Sequence, residues 1–183
     1  MERCVVELRD DRCVTLRPVR LSDASGLREL DRAVIADGRG VVLAPDELRG
    51  ALAVQGRIDR VVGLGDFWLV AVEDQRVVAY VDVLRIPVRA LRHNAELSMA
   101  VHPAFQGVGL GRILLEQALT WCRHKEIERL ELACLANNQR ALGLYRSEGF
   151  EVVELRRGFM RTEDGQSVDD VRMVWRPVSG DAV

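Results

Sequence analysis

No block of lysine and arginine interrupts this sequence. Its 26 basic residues are set against 28 acidic ones among 183, a net charge of −2. Nucleic acid is thereby excluded as the main partner, because neutralising a phosphate backbone needs clustered cations. A local cationic patch for a small anionic ligand is still allowed. Paired cysteine motifs are missing as well. Cys4, Cys13, Cys122 and Cys134 are scattered, with no CxxC spacing and no histidine company, which argues against a metal site or a disulfide framework. Cys122 and Cys134 fall in apolar runs and read as small buried hydrophobes in a reducing cytosol. No apolar stretch approaches the roughly 20 residues of a membrane span, and residues 1–10 have no signal-peptide core. A soluble, cytoplasmic protein with no membrane partner is expected. Repeats, low-complexity tracts and domain linkers are absent too. A hydrophobic share of 48% with 30% charged residues is ordinary globular usage. One domain over 1–183 follows, long enough to bury a single core.

Periodicity supplies the elements. Residues 13–17 read as a strand stopped by Pro18. Ser22 or Asp23 can cap a helix to about Ala33, with Leu27 and Leu30 on its buried face. A second helix is expected to start at Ala44-Pro45-Asp46, and residues 63–66 form a breaker cluster. Two β-branched runs, 67–72 and 77–84, flank Glu73-Asp74-Gln75-Arg76 as an antiparallel hairpin. Over 95–101, Leu97, Met99 and Val101 share one face, and Glu96, Ser98 and Ala100 the other. Residues 111–125 form the clearest helix, with Leu114, Leu115, Ala118, Leu119 and Cys122 at helical spacing. Strand 128–135, helix 138–148 closing at Gly149, and strands 150–155 and 168–175 complete the series. Strands and helices alternate in the second half, so a mixed α/β sheet covered by helices is expected.

The chemistry concentrates where strand 95–101 runs through Pro103 into Gln106-Gly107-Val108-Gly109-Leu110-Gly111-Arg112 and a long helix. Glycines clear side chains away just where amide groups at a helix N-terminus become free, and those amides with the helix dipole suit an anion such as a pyrophosphate. A dinucleotide fingerprint fails, because the third glycine position is Leu110 or Arg112 by either register. A Walker loop fails for want of Gly-Lys-Ser/Thr. The glycines alone leave a plain flexible turn open.

Gln106-x-x-Gly109-x-Gly111 resembles the Q/R-x-x-G-x-G/A signature of GNAT acetyltransferases. The likeness runs from Arg92-His93-Asn94-Ala95-Glu96 to Gly149-Phe150. Between these ends it takes in Asn137-Asn138 and Leu144-Tyr145, and a weaker echo follows in Asp169-Asp170-Val171-Arg172-Met173. It implies the GNAT fold: a mostly antiparallel central sheet with a splayed parallel strand pair, about four flanking helices, and an acetyl-CoA core over about residues 92–155. It further implies that the backbone of Met99, Ala100 and Val101 bonds the thioester and pantetheine arm. The amides of Gln106, Gly107, Val108, Gly109, Leu110, Gly111 and Arg112 would surround the pyrophosphate. Asn138 would lie near the arm, and Tyr145 near the sulfur, where its hydroxyl can protonate the leaving thiolate.

Asn138 and Tyr145, seven residues apart on one helix, project from one face about 10 Å apart. Tyr145 could equally be a half-buried aromatic of an amphipathic helix. A general base is needed to keep the amine neutral. Glu96 resembles a strand glutamate of some protein-lysine acetyltransferases, though it could be an ordinary surface glutamate; His93 and His102 are alternatives. Other members carry a carboxylate where this chain has Ala133, a departure for which Glu131, two residues earlier on the same face, is the candidate substitute. The expected activity is transfer of acetyl from acetyl-CoA to a primary amine such as an amino acid, with no metal. A protein lysine or N-terminal acetyltransferase and a non-catalytic acyl-CoA-binding module are the alternatives. Arg85, Arg89 and Arg92 could draw an anionic acceptor or be a solvated face. The resemblance also leaves a homodimer open.

Overall fold

The computed structural model describes residues 3–38, 48, 50–162 and 165–177. Along them lie strands β1 (Cys4–Glu7) and β2 (Cys13–Pro18), helices α1 (Ala24–Ala36) and α2 (Ala51–Leu64), and strands β3 (Phe67–Glu73), β4 (Arg76–Arg85) and β5 (Asn94–Val101). Helix α3 (Leu110–His124), strand β6 (Arg129–Leu135), helix α4 (Gln139–Ser147) and strands β7 (Glu151–Arg161) and β8 (Ser167–Trp175) follow. The strands form one sheet in the order β1-β2-β3-β4-β5-β6-β8-β7. Every neighbouring pair is antiparallel except β5 and β6. The expected mixed sheet with a parallel pair and about four helices is thus what the described residues adopt.

Local chemistry explains most boundaries. The β3–β4 hairpin closes through Asp74 and Gln75, both at positive φ, the geometry of a two-residue turn whose twist matches its strands. The strands therefore run further toward each other than the expected four-residue break. Asp23 does not cap α1 with its side chain. Its carboxylate instead takes both Arg17 guanidinium nitrogens at 2.7 Å and the Arg20 amide at 2.8 Å. That fastens the helix entrance to β2. The expected start of the second helix at residues 44–46 lies outside the described residues. Gly63 is helical, and α2 stops at Gly65, which is left-handed with φ 65°. Strand β1 was not anticipated: Cys4-Val5-Val6-Glu7 is a four-residue run on a largely exposed edge, too short to show a strand period.

The two faces of the sheet carry separate cores. On one, α3 and α4 press Leu114, Leu115, Ala118, Leu119, Cys122 and Leu142 against Leu69, Val81, Leu97 and Leu132. On the other, α1 and α2 lay Leu27, Leu30, Val34, Ile58 and Val61 over Trp68, Val70 and Ala100. Truncating a fully buried leucine such as Leu114 to alanine in a core of this kind costs about 2–5 kcal/mol. Cys122 and Cys134 are buried as expected, and burial raises their thiols to about 12 and about 11. Among the described residues no helix is long and apolar enough to cross a membrane.

One irregularity of the sheet makes the site. β5 pairs with β4 from Ala95 to Val101, and β6 with β8 from Leu130 to Leu135. Between β5 and β6 the register holds only at Asn94–Arg129, Ala95–Leu130 and Glu96–Glu131. Each strand is committed to its outer neighbour, so past Glu96 the two diverge into a V.

Candidate active site

Alternation decides which backbone groups face the V. Ile86 donates to the Asn94 carbonyl and His102 to that of Val78, so the even-numbered residues of β5 direct their amides and carbonyls at β4. The odd ones direct theirs away. Met99 therefore presents unpaired backbone to the opening and Val101 its amide, whereas Leu97 is held by the last register pair with β6 and Ala100 is bonded within the sheet. This corrects the expectation that Ala100 offers its backbone there. The Val101 carbonyl accepts from Gln106 Nε2 at 3.2 Å, which ties the glycine loop to the strand end.

After a 3-10 turn at Pro103–Phe105 the chain enters that loop. The amides of residues 107–111 bond no carbonyl among the described residues, and the first helical bonds are Arg112 and Ile113 to the Gly109 carbonyl. Gly109 sits at φ 94°, a conformation a branched side chain resists. A Cβ on Gly111 would meet Leu144 of α4 at 3.4 Å, so that glycine lets α3 and α4 approach. Arg112 is not part of the donor cluster. Its amide is spent in the helix, and its guanidinium turns to Glu148 and the Ser147 hydroxyl.

On α4, Tyr145 is buried against Phe150, ring centroids 5.6 Å apart. Burial, with Cys134 alongside, holds its phenol protonated far above the ordinary range. Asn138 is the N-cap rather than a helix-face residue: its side-chain oxygen accepts from the Ala141 amide at 3.2 Å. Both still line one cleft of about 770 Å³ with Met99, Val101, Gln106 and the loop glycines.

That cleft passes through the V to the opposite face, where Val34, Asp37, Tyr80, Glu96, Ser98, Glu131, Arg156 and Arg172 line it. Glu96 and Glu131 are register partners at the closed end of the V. They differ in company. Burial pushes the Glu131 carboxyl up, but hydrogen bonds and charge from Arg129 and Arg172 more than offset it and leave it below its ordinary value. Among the described residues Glu96 has no ion pair, and it is exposed to the cleft. The histidine alternatives are elsewhere. His102 caps the 3-10 turn with Nδ1 accepting from the Ala104 amide, its Nε2 against Arg76, and His93 does not line the cleft. Nor do Arg85, Arg89 and Arg92; Arg85 is bound to Asp66 and the Leu64 carbonyl. Beneath the helix pair, Asp82 is fully buried, raised to about 7 by burial against the pull of Arg57, which grips both its oxygens. Arg9, Tyr80, Arg140, Arg156 and Arg172 were not anticipated as cleft residues; nothing in local periodicity marks a side chain that arrives from another element. No cluster able to hold a metal occurs among the described residues.

The model of the acetyltransferase (GNAT) family matches residues 45–150, more than half the chain. The chain belongs to the GNAT family. This GNAT protein is 35% identical over 82 residues to the ribosomal protein bS18-alanine N-acetyltransferase of Escherichia coli K12, covering 45% of this chain and 54% of that one. It is 42% identical over 64 residues to the N-alpha-acetyltransferase RimI of Mycobacterium tuberculosis, covering 35% and 39%. The chain thus spans about half the length, or less, of these curated relatives. Among solved structures, a GNAT acetyltransferase from Streptococcus pneumoniae superposes with a TM-score of 0.82 at 22% identity, covering 90% of this chain and 99% of that one. The protein yncA of Salmonella typhimurium, solved with its cofactor acetyl-CoA, gives 0.80 at 22% identity, covering 93% and 99%. At such identity these structures speak for the GNAT fold alone.

Proposed function

We propose that this GNAT chain is an acetyl-CoA-dependent N-acetyltransferase that passes the acetyl group directly to a primary amine. The observation that carries the reading is one continuous cleft, which joins five free loop amides on one face of the sheet to an unpaired carboxylate on the other. The residues fit the co-substrate. Amides 107–111 and the α3 dipole suit a pyrophosphate, and the open backbone of Met99 with the Val101 amide suits an amide-bearing arm. When bound, acetyl-CoA supplies the thioester carbonyl. Glu96 accepts the ammonium proton of the acceptor, directly or through water, and Tyr145 hydrogen-bonds the leaving sulfur and protonates it.

For the acceptor, we read a small amine that carries a carboxylate, such as an amino acid. Arg172, with more than a third of its side chain exposed on the cleft wall, offers a seat for that carboxylate. The names of the relatives favour a second reading, a protein N-terminus, against which stands Ala133 in place of the carboxylate other members carry. A panel of amino acids, simple amines and alanine-initiated peptides, assayed with acetyl-CoA for thiol release, separates the two. Turnover of amino acids is expected. Turnover of peptides alone would transfer the assignment to the second reading, and CoA binding without any turnover would leave a binding module.

A further inference from the structure

The turn between β1 and β2 reaches across to the glycine loop. Its Arg9 amide donates to the Val108 carbonyl at 3.1 Å. Three residues on, Arg12 donates to the Ala104 carbonyl at 2.7 Å and lies 3.9 Å over the Phe105 ring. The turn is therefore fastened to the loop on both sides of Gln106. The cations gathered here have different duties. Arg12 is paired with Asp10, Arg112 with Glu148, and Arg140 donates to the Gln106 side-chain oxygen. Among the described residues the Arg9 guanidinium makes no hydrogen bond and no ion pair. Its side chain lies along Gly109: a Cβ there would meet Arg9 Nε at 3.5 Å and its Cγ at 3.7 Å. Arg9 and Gly109 line the same cleft.

We propose that Arg9 is a cofactor-binding residue, a cation delivered by the N-terminal hairpin that closes over the glycine loop and pairs with the pyrophosphate of CoA. The loop amides are fixed dipoles without net charge, whereas a pyrophosphate carries about two negative charges, so the amides alone leave the anion uncompensated. A guanidinium fits that need, because its planar fork bonds phosphate oxygens in pairs. The backbone bond to Val108 places the fork without using it. A Cβ at 109 would meet Arg9 at ordinary contact distance, so it is the φ of 94° that asks for glycine there. The inference rests on the acetyl-CoA reading of the cleft.

Calorimetric titration tests it with three ligands: CoA, dephospho-CoA, which keeps the pyrophosphate but lacks the 3′-phosphate, and pantetheine, which lacks both. Arg9→Gln should weaken CoA and dephospho-CoA alike, by about 10-fold as for one partly screened charge-assisted contact. Pantetheine should bind both proteins equally. Arg9→Lys should recover part of the loss, and the difference should shrink as salt is raised. Equal affinity of Arg9→Gln and the parent for CoA would overturn the proposal. So would a loss for CoA but not for dephospho-CoA, which would assign Arg9 to the 3′-phosphate. A parent that binds no CoA would remove the acetyl-CoA reading and this inference with it, a result unlike either of the others.

Discussion

The two ends of the cleft are built from different materials. On the α3 and α4 face much of the binding surface is backbone, loop amides 107–111 and the open edge of β5 at a helix start, beside side chains such as Tyr145. On the α1 and α2 face the walls are mainly ionisable side chains drawn from the turn after α1 and from β4, β5, β6, β7 and β8. A backbone site is specified by a short contiguous stretch, because consecutive residues set consecutive amides. A side-chain site is specified only by the tertiary arrangement, and its charges can be exchanged without altering the fold. One end therefore suits an invariant ligand and the other a variable one. The comparison breaks if chemistry on the first side proves dispensable, or if charges on the second govern cofactor binding.

The largest effect is expected at Tyr145, where the first side meets the chemistry. Tyr145→Phe keeps the ring against Phe150 and removes only the hydroxyl, so acetyl-CoA affinity should hold while kcat falls by about 10²–10⁴-fold, the usual worth of a general acid. Because the phenol is held protonated far above its ordinary range, the loss should be the same across the neutral pH range. An undiminished kcat would hand the proton to water.

The same contrast explains what could be read in advance. The glycine loop, the α3 stripe and the β3–β4 hairpin were legible because their signals are local: spacing, turn residues and helical period. Asn138 lines the cleft, but as the cap of α4 and not from within the helix, since a residue before Gln139 can be either, and its bond to Ala141 decides. Ala100 could not be separated from Met99 and Val101 without the register of β4, which fixes which amides are used. Arg9, Arg156 and Arg172 were illegible. Each reaches the cleft from an element distant in sequence, and an arginine in a strand or turn looks alike whether it faces solvent or a ligand.

A smaller effect is expected at Glu96, on the acceptor side. Glu96→Gln preserves shape and removes the base, so kcat/KM for the amine should fall by roughly 10²-fold, the lower end of what such a group contributes. The deficit should be greatest at acid pH, where the amine is protonated, and should narrow as rising pH supplies free amine. CoA affinity should not change. A uniform deficit at every pH would make Glu96 a contact for the acceptor rather than its base, and a loss of CoA affinity would erase the division between the two ends.

The smallest effect belongs to Glu131, the register partner of Glu96. Its carboxylate is shared by Arg129 and Arg172, whose side chains are 35% and 37% exposed, so the network is worth about 1 kcal/mol or less. Glu131→Gln should lower the melting temperature slightly at pH 7 and leave CoA affinity unchanged. The folded carboxyl titrates below its unfolded value, so the native state holds fewer protons and the contribution is present above the unfolded pKa of about 4.3. As pH falls through that value and on toward the folded one, the parent loses the advantage. The gap between parent and variant should therefore be constant near neutrality and close below roughly pH 4.5. Thermal melts of both proteins from pH 3 to 8 measure it. A gap that widens on acidification would mean that the folded carboxyl holds its proton more tightly than the unfolded one, as desolvation alone would make it. The two arginines would then be serving something other than Glu131, and the acceptor carboxylate would be the first candidate.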